Sequence, residues 1–392
     1  MLPLGYSSNL HAAEDIPGLL ATIANFTAPA RERLGWPVLG LDLRLGSRAI
    51  AELADPRQLS ALRQGLDAAG AHAYTLNGFP LRPFQAAVVK RDAYLPDWRD
   101  ASRLDDTMRL IPIALALSDE ALVTVSTVPG TYRPLGNGPE IAIKVAENLG
   151  RWAAAAARAK RDTGRTVVLA LEPEPWCLLE TSWDVADFWK NPLAHAGLAA
   201  AAAALDGDTT AARTALATHL GICVDTCHLS LAFEDQSAAV ERMAAAGARI
   251  AKCQVSAAPE VTLPDPDGVA ALRALHEPRF CHQTACTSAN GSLSKVEDLD
   301  QLDACIARLG NATTVRSHFH IPVFRTPTAT GLSTTITDSL RGLKASIAAG
   351  CTHLAVETYT WSILAANERD ALAGTVRELA WLQAQPEMKA RA

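Results

Sequence analysis

Val167-Val168-Leu169-Ala170-Leu171-Glu172 is an unbroken apolar run that ends on a carboxylate. A strand with one wet face alternates apolar and polar residues, so a continuous run implies burial on both faces, as in a parallel sheet clad in helices. Similar runs recur at Leu2–Gly5, Val38–Leu43, Ala73–Leu76, Leu122–Val125, Gly221–Val224, Ile250–Val255 and His353–Val356, giving eight candidate strands. Helical patterns separate them at Arg57–Ala69, Arg103–Leu117, Glu140–Lys160, Ala238–Ala246 and Thr335–Ala349, the last stopped by Gly350. The first three strands begin roughly 35 residues apart, the span of one βα unit. Eight such units in 392 residues predict an α/β chain: a (β/α)8 TIM barrel with long insertions in its βα loops, occupying residues 1–392 as one domain. A rival open, doubly wound sheet would carry a Gly-rich phosphate loop after an early strand, and the sequence has none.

The longer steps between strands mark three insertions, Gly78–Trp98, Thr181–Leu220 and Ala257–Thr314. The second contains the helical run Ala199–Ala204, and the third the turn-forming Pro264-Asp265-Pro266-Asp267-Gly268. All three leave from the C-terminal ends of strands, where barrels carry their active sites, and are expected to wall and lid a pocket.

Composition narrows the partners. The chain is 49% hydrophobic and 20% charged, with a formal net charge of -6. That balance argues against nucleic acid and favours a small-molecule metabolite. No apolar run approaches the roughly 20 residues of a membrane-spanning helix, and the N-terminus lacks a signal-peptide pattern. Eight cysteines, none in a C-x-x-C pair, read as mostly reduced and buried and imply a cytoplasmic location.

Three carboxylates terminate apolar strands: Glu172, Asp225 and Glu357. Each alone is an ordinary helix cap. In a barrel the three converge on one mouth, where they repel one another, and a divalent cation is the simplest remedy. Asp225-Thr226-Cys227-His228 sets an imidazole on the same strand-to-helix turn, where His228 is expected to ligate the metal or bind a substrate hydroxyl. On the seventh strand Gln254 offers a carbonyl oxygen to the metal, or fills the interior; Lys252, two residues earlier, shares its face and is expected to pair with the acids. His318-Phe319-His320 in an extended segment puts two imidazoles on one side, a good ligand spacing. Weaker candidates for substrate contact are His11, Asn77, Ser126, Trp176 and His282, each also readable as a turn or packing residue.

This arrangement resembles the xylose-isomerase-like superfamily of TIM barrels, which includes sugar isomerases, ketose 3-epimerases and endonuclease IV. The resemblance implies a Mn, Co, Mg or Zn ion held by Glu172, Asp225 and Glu357, with Gln254 where those epimerases have His and His320 available to compensate. It also implies that His228, in the Asp-x-x-His pattern, touches substrate. More narrowly, Tyr6-Ser7-Ser8-Asn9-Leu10-His11, Leu76-Asn77-Gly78-Phe79-Pro80, Tyr94-Leu95-Pro96-Asp97-Trp98, Ser126-Thr127-Val128-Pro129 and Ser317-His318-Phe319-His320-Ile321-Pro322 resemble the EboE family of "metabolite traffic" proteins. The expected activity is that of an isomerase or epimerase of a sugar, cyclitol or related polyol, with Glu172 and Glu357 as base and acid and Glu174 in reserve. Two other activities fit the residues: a non-catalytic metabolite carrier, and a metal-dependent hydrolase or phosphodiesterase of endonuclease IV type.

Overall fold

The computed structural model describes residues 4–325, 332–364 and 369–389. Strands β1 (Leu4–Ser7), β2 (Leu39–Arg44), β3 (Ala71–Asn77), β4 (Leu122–Thr127), β5 (Thr166–Leu171), β6 (Leu220–Asp225) and β7 (Arg249–Val255) all belong to the barrel. Five strands of a second sheet come next: β8 (Pro259–Thr262), β9 (Thr284–Ser288), β10 (Leu293–Val296), β11 (Ala312–Ser317) and β12 (Ser333–Thr334). The chain then returns to the barrel for β13 (His353–Val356), which pairs in parallel with both β7 and β1 and closes it. The (β/α)8 expectation is thus met: all eight anticipated runs are the barrel strands, although Leu2 and Pro3 of the first run lie outside the described residues.

Burial on both faces explains the unbroken apolar runs. The main core, including Leu41, Val123, Leu169, Ile222 and Leu354 from the strands and Leu62, Leu149 and Val240 from the helices, lies between the barrel and its helical coat. A small separate cluster of Val168, Ala170, Cys223 and Ala251 comes from β5, β6 and β7. Where β1 crosses β2 the backbones are so close that a Cβ on Gly5 would stand 2.4 Å from the Gly40 carbonyl, so this seam requires glycine. Part of the interior is polar: Lys252 reaches Asp42 and Ser126, and His353 Nδ1 lies 2.8 Å from Thr124 Oγ1.

The insertion after β7 is more than the turn-rich excursion the sequence suggests. It forms an antiparallel sheet in the order β10-β9-β11-β8-β12 around its own core of Val261, Leu272, Cys286, Leu302, Val315 and Phe319. Among the described residues no helix is long and apolar enough to cross a membrane.

Candidate functional site

Glu172 follows β5, Asp225 ends β6, Gln254 lies on β7 and Glu357 follows β13, so all four meet at the C-terminal mouth of the barrel. All are buried. Carboxylate oxygens of Glu172, Asp225 and Glu357 lie within 4.8 Å of one another. Asp225 is both a helix cap and a candidate ligand. Its Oδ1 accepts from the backbone N–H groups of Cys227 (2.8 Å) and His228 (3.1 Å) and from Ser256 Oγ (2.8 Å), while Oδ2 has no hydrogen-bond partner among the described residues. Glu172 repeats the division: Oε1 accepts from Gln254 Nε2 at 3.2 Å, and Oε2 is bare. Glu357 is fully engaged, with Oε1 accepting from Ser7 Oγ (2.9 Å) and Asn9 Nδ2 (2.7 Å) and Oε2 from Gln254 Nε2.

Two buried carboxylate oxygens without a donor are costly unless something else meets them. Burial, and then the charges of Glu357 and Asp225, pushes the Glu172 carboxyl well above its ordinary value. A divalent cation fits this donor set. Gln254 points its amide nitrogen at both glutamates, and its oxygen accepts from the Cys223 thiol at 2.9 Å. In this orientation it is a donor bridging the acids, and to offer its carbonyl it would have to turn its amide over.

A second cluster adjoins the first. The Nε2 atoms of His228 and His318 are 3.1 Å apart, those of His318 and His320 3.1 Å, and those of His320 and His228 3.3 Å. Their Nδ1 atoms face Pro173 O at 3.0 Å, Gln283 Oε1 at 2.7 Å and Glu357 O at 3.0 Å, respectively. Burial, with neighbouring His320, pushes the His228 imidazole down to about 3. His320 Nδ1 lies 3.5 Å from Glu357 Oε2 and 3.9 Å from Asp225 Oδ2, but its free nitrogen turns toward the other histidines.

Glu172, Glu357 and the three histidines line one cavity of about 50 Å³, with Asn9, Asn77, Glu174 and Tyr94 among its other walls, while Asp225 and Gln254 lie behind it. Aromatic rings cover it: Phe84 and Phe280 have centroids 4.8 Å apart, and each stands 5.1 Å from Tyr359. At roughly 10–15 Å³ per water this space holds only a few waters. Glu174 was a reserve acid in the sequence, and its setting is now visible. Tyr94 donates to its Oε1 at 2.8 Å, and burial, against that bond, pushes the carboxyl up to about 8.

Other anticipated residues lie elsewhere. Lys252 lies beneath the mouth, donating to Asp42 Oδ2 at 2.7 Å and Ser126 Oγ at 2.9 Å. It pairs with Asp42 and not with the strand-end acids. Burial opposes its charge, but the field of Asp42 outweighs that and raises its proton affinity. His11 is absent from the cavity walls; it packs on Phe26, centroids 4.4 Å apart, with Nε2 3.3 Å from Tyr6 Oη. Trp176 has a left-handed backbone (φ 66°) and packs against the main core. His282 backs the cavity without lining it: its ring stacks on Phe319 at 3.7 Å, and its nitrogens meet His318 O (2.9 Å) and Glu277 Oε1 (2.8 Å). Asn77 does line the cavity, its Oδ1 accepting from Phe79 N at 3.0 Å. Sequence reasoning gave no individual role to Tyr94, Gln283, Phe84, Phe280 and Tyr359, although the first four lie in two of the insertions expected to wall a pocket and Tyr94 opens a quoted motif. It also assigned no role to Ser7 and Asn9, although both stand in the opening motif it singled out.

In overall structure the chain is similar to a solved L-ribulose 3-epimerase, with a TM-score of 0.51 at 14% identity over 99% of this chain and 96% of the other. Weaker likenesses are to a xylose isomerase domain protein from Planctomyces limnophilus (TM-score 0.47, 11% identity, 97% of each chain) and to a D-psicose 3-epimerase (TM-score 0.47, 11% identity, 98% of each chain). What the first likeness shows is the fold. No family model matches the chain, and no curated protein does.

Proposed function

We propose that this protein is a metal-dependent isomerase or epimerase that moves a proton on a sugar, cyclitol or related polyol. One observation carries the reading: Glu172 and Glu357 meet at a closed barrel mouth with Asp225 beside them, and bare oxygens remain on Glu172 and Asp225. Glu172, Asp225 and Glu357 would hold a divalent ion, Mn, Zn, Co or Mg, and His320, with Nδ1 3.5 Å from Glu357 Oε2, is the adjacent imidazole that would have to turn its ring to join them. Such an ion, when bound, supplies Lewis acidity toward adjacent substrate oxygens. The chain does the rest. Glu172, whose burial raises its affinity for a proton, removes one from the carbon beside a carbonyl, and Glu357 returns one. Gln254 keeps the two carboxylates at fixed spacing through its two donated hydrogen bonds. Asn9, held by its bond to Glu357, has a buried Oδ1 without a partner and presents it to a substrate hydroxyl. Phe84 and Phe280 exclude water while the proton is in transit.

The reading extends to a metabolite traffic pathway, as the EboE resemblance suggests. It also covers a single domain over residues 1–392 and a cytoplasmic location, for which eight free cysteines are the support. A non-catalytic carrier is the second reading. It is favoured by Gln254, whose donated bonds occupy oxygens that proton transfer needs.

The deciding experiment incubates the metal-loaded protein with a panel of ketoses and cyclitol ketones in deuterated water. Catalysis predicts deuterium at the carbon beside the carbonyl, reduced at least a hundredfold by Glu357→Gln. Binding of a panel member without exchange supports the carrier, and exchange undiminished by Glu357→Gln sinks the assigned mechanism.

A further inference from the structure

The antiparallel sheet after β7 holds a reactive pair in a core separate from that of the barrel. Cys286 lies on β9, between β10 and β11, in register with Ser294 on one side and Val315 on the other. Cys305 lies on the helix Leu302–Leu309, which packs on β9 and β10. Both side chains are buried in the sheet's own core, together with Val261, Leu302 and Val315. Their sulfurs are 2.8 Å apart. A disulfide bond is about 2.04 Å long, so an approach of only about 0.8 Å separates the two thiols from a bond. A central strand and a packed helix hold the pair, so the chain need not be rebuilt to bring the sulfurs together.

The protons are placed for exchange. Cys286 donates its S–H to the Cys305 sulfur, and that bond, against burial, holds the Cys305 thiol below its ordinary value while pushing Cys286 up. Cys305 is therefore the sulfur that more readily carries negative charge. We propose that Cys286 and Cys305 are a thiol–disulfide pair, oxidised by a small disulfide of the glutathione class to a cross-link between β9 and the helix. The Cys305 thiolate attacks one sulfur of the oxidant, forms a mixed disulfide and expels the first thiolate. Cys286 then loses its proton, attacks the Cys305 sulfur and expels the second. Two protein thiols are oxidised, and one small disulfide becomes two thiols. Because both residues are buried, exchange proceeds through local opening and is slow. The bond joins positions 19 apart and restricts the unfolded ensemble of the segment between them, which includes β10. Its effect reaches the cavity in one step: Thr284 Oγ1, on the same strand, lies 2.8 Å from Ser317 Oγ, and Ser317 is followed by His318 in the cavity wall.

The test equilibrates the full chain in glutathione buffers from fully reduced to fully oxidised, quenches with acid, and counts thiols after unfolding. The eight thiols of the reduced chain are expected to fall by two in one step, and peptide mapping to recover Cys286 joined to Cys305. Cys305→Ser should form no internal disulfide under the same conditions. Should that variant not fold, mapping of the unaltered protein decides alone. Protease cleavage between the two cysteines should slow about tenfold or more in the oxidised form and recover with dithiothreitol. Thiols that all persist at the oxidising end, a disulfide that maps to another pair, or a cross-linked form cleaved as fast as the reduced one overturns the proposal.

Discussion

Lys252 and Gln254 share one face of β7, two residues apart, yet they serve opposite kinds of charge. At Lys252 one cation meets one anion within the chain, although Asp42 Oδ1 has no hydrogen-bond partner among the described residues. The Lys252 ammonium meets Asp42 at 2.7 Å and Ser126 at 2.9 Å, and both members of the ion pair are 0% exposed. At Gln254 the balance stays open: three carboxylates converge, their hydrogen bonds come from neutral donors, and two oxygens lack partners. Charge that the barrel needs for its own structure is matched within the chain. Charge left unmatched at the mouth is where an outside partner is to be sought.

Four measurements break or sharpen this contrast. Lys252→Met strands Asp42 in the interior and should cost about 3–5 kcal/mol in denaturant unfolding, whereas Lys252→Met/Asp42→Leu should recover most of it. A double variant as unstable as the single one would show that the pair is not self-contained. At the mouth, Glu172→Gln should leave the metal-free protein at least as stable as the parent, since it removes a repelling charge. It should also abolish the gain of about 2.7 kcal/mol expected from a divalent ion at a hundredfold over its Kd. An undiminished rise in Tm on adding metal would break the contrast from that side.

Glu378 is an intermediate case, a lone buried carboxylate held by Thr358 Oγ1 (2.8 Å) and Val323 N (3.0 Å). Burial pushes it up to about 8 from an ordinary 4.5. Ionising it therefore weighs against folding above pH 4.5, and the penalty is complete above pH 8. Glu378→Gln should gain on the parent by roughly 4 kcal/mol between pH 5 and pH 9, read from urea midpoints. A constant difference across that range would refute the assignment. Smallest of all, Ser126→Ala removes one acceptor of the Lys252 ammonium and should cost about 1.5 kcal/mol.

The fold was legible because strands buried on both faces leave mostly apolar runs, broken in β2 and β7 only by charged or polar residues such as Asp42, Lys252 and Gln254 that face the interior. The strand-end acids were legible for the same reason, each being a charge that interrupts such a run. What escaped depends on distance along the chain. Nothing near Lys252 announces Asp42, 210 residues earlier, and the strand-end acids looked like its partners. The antiparallel sheet escaped because strands such as Thr284–Ser288 are short and mix polar with apolar residues. The His-x-His spacing marked His318 and His320 as neighbours, but that His228 would complete a triangle with them is a fact of tertiary structure. His11 misled because it ends a conspicuous strand-one motif yet turns toward Tyr6 and Phe26.

The bonds from Ser7 and Asn9 to Glu357 tie together positions about 350 residues apart, across the seam where β1 meets β13. A chain whose first and last strands have peeled apart keeps only the Gln254 bond to that glutamate. Closing the ring and fixing the full set of bonds to Glu357 are then one event.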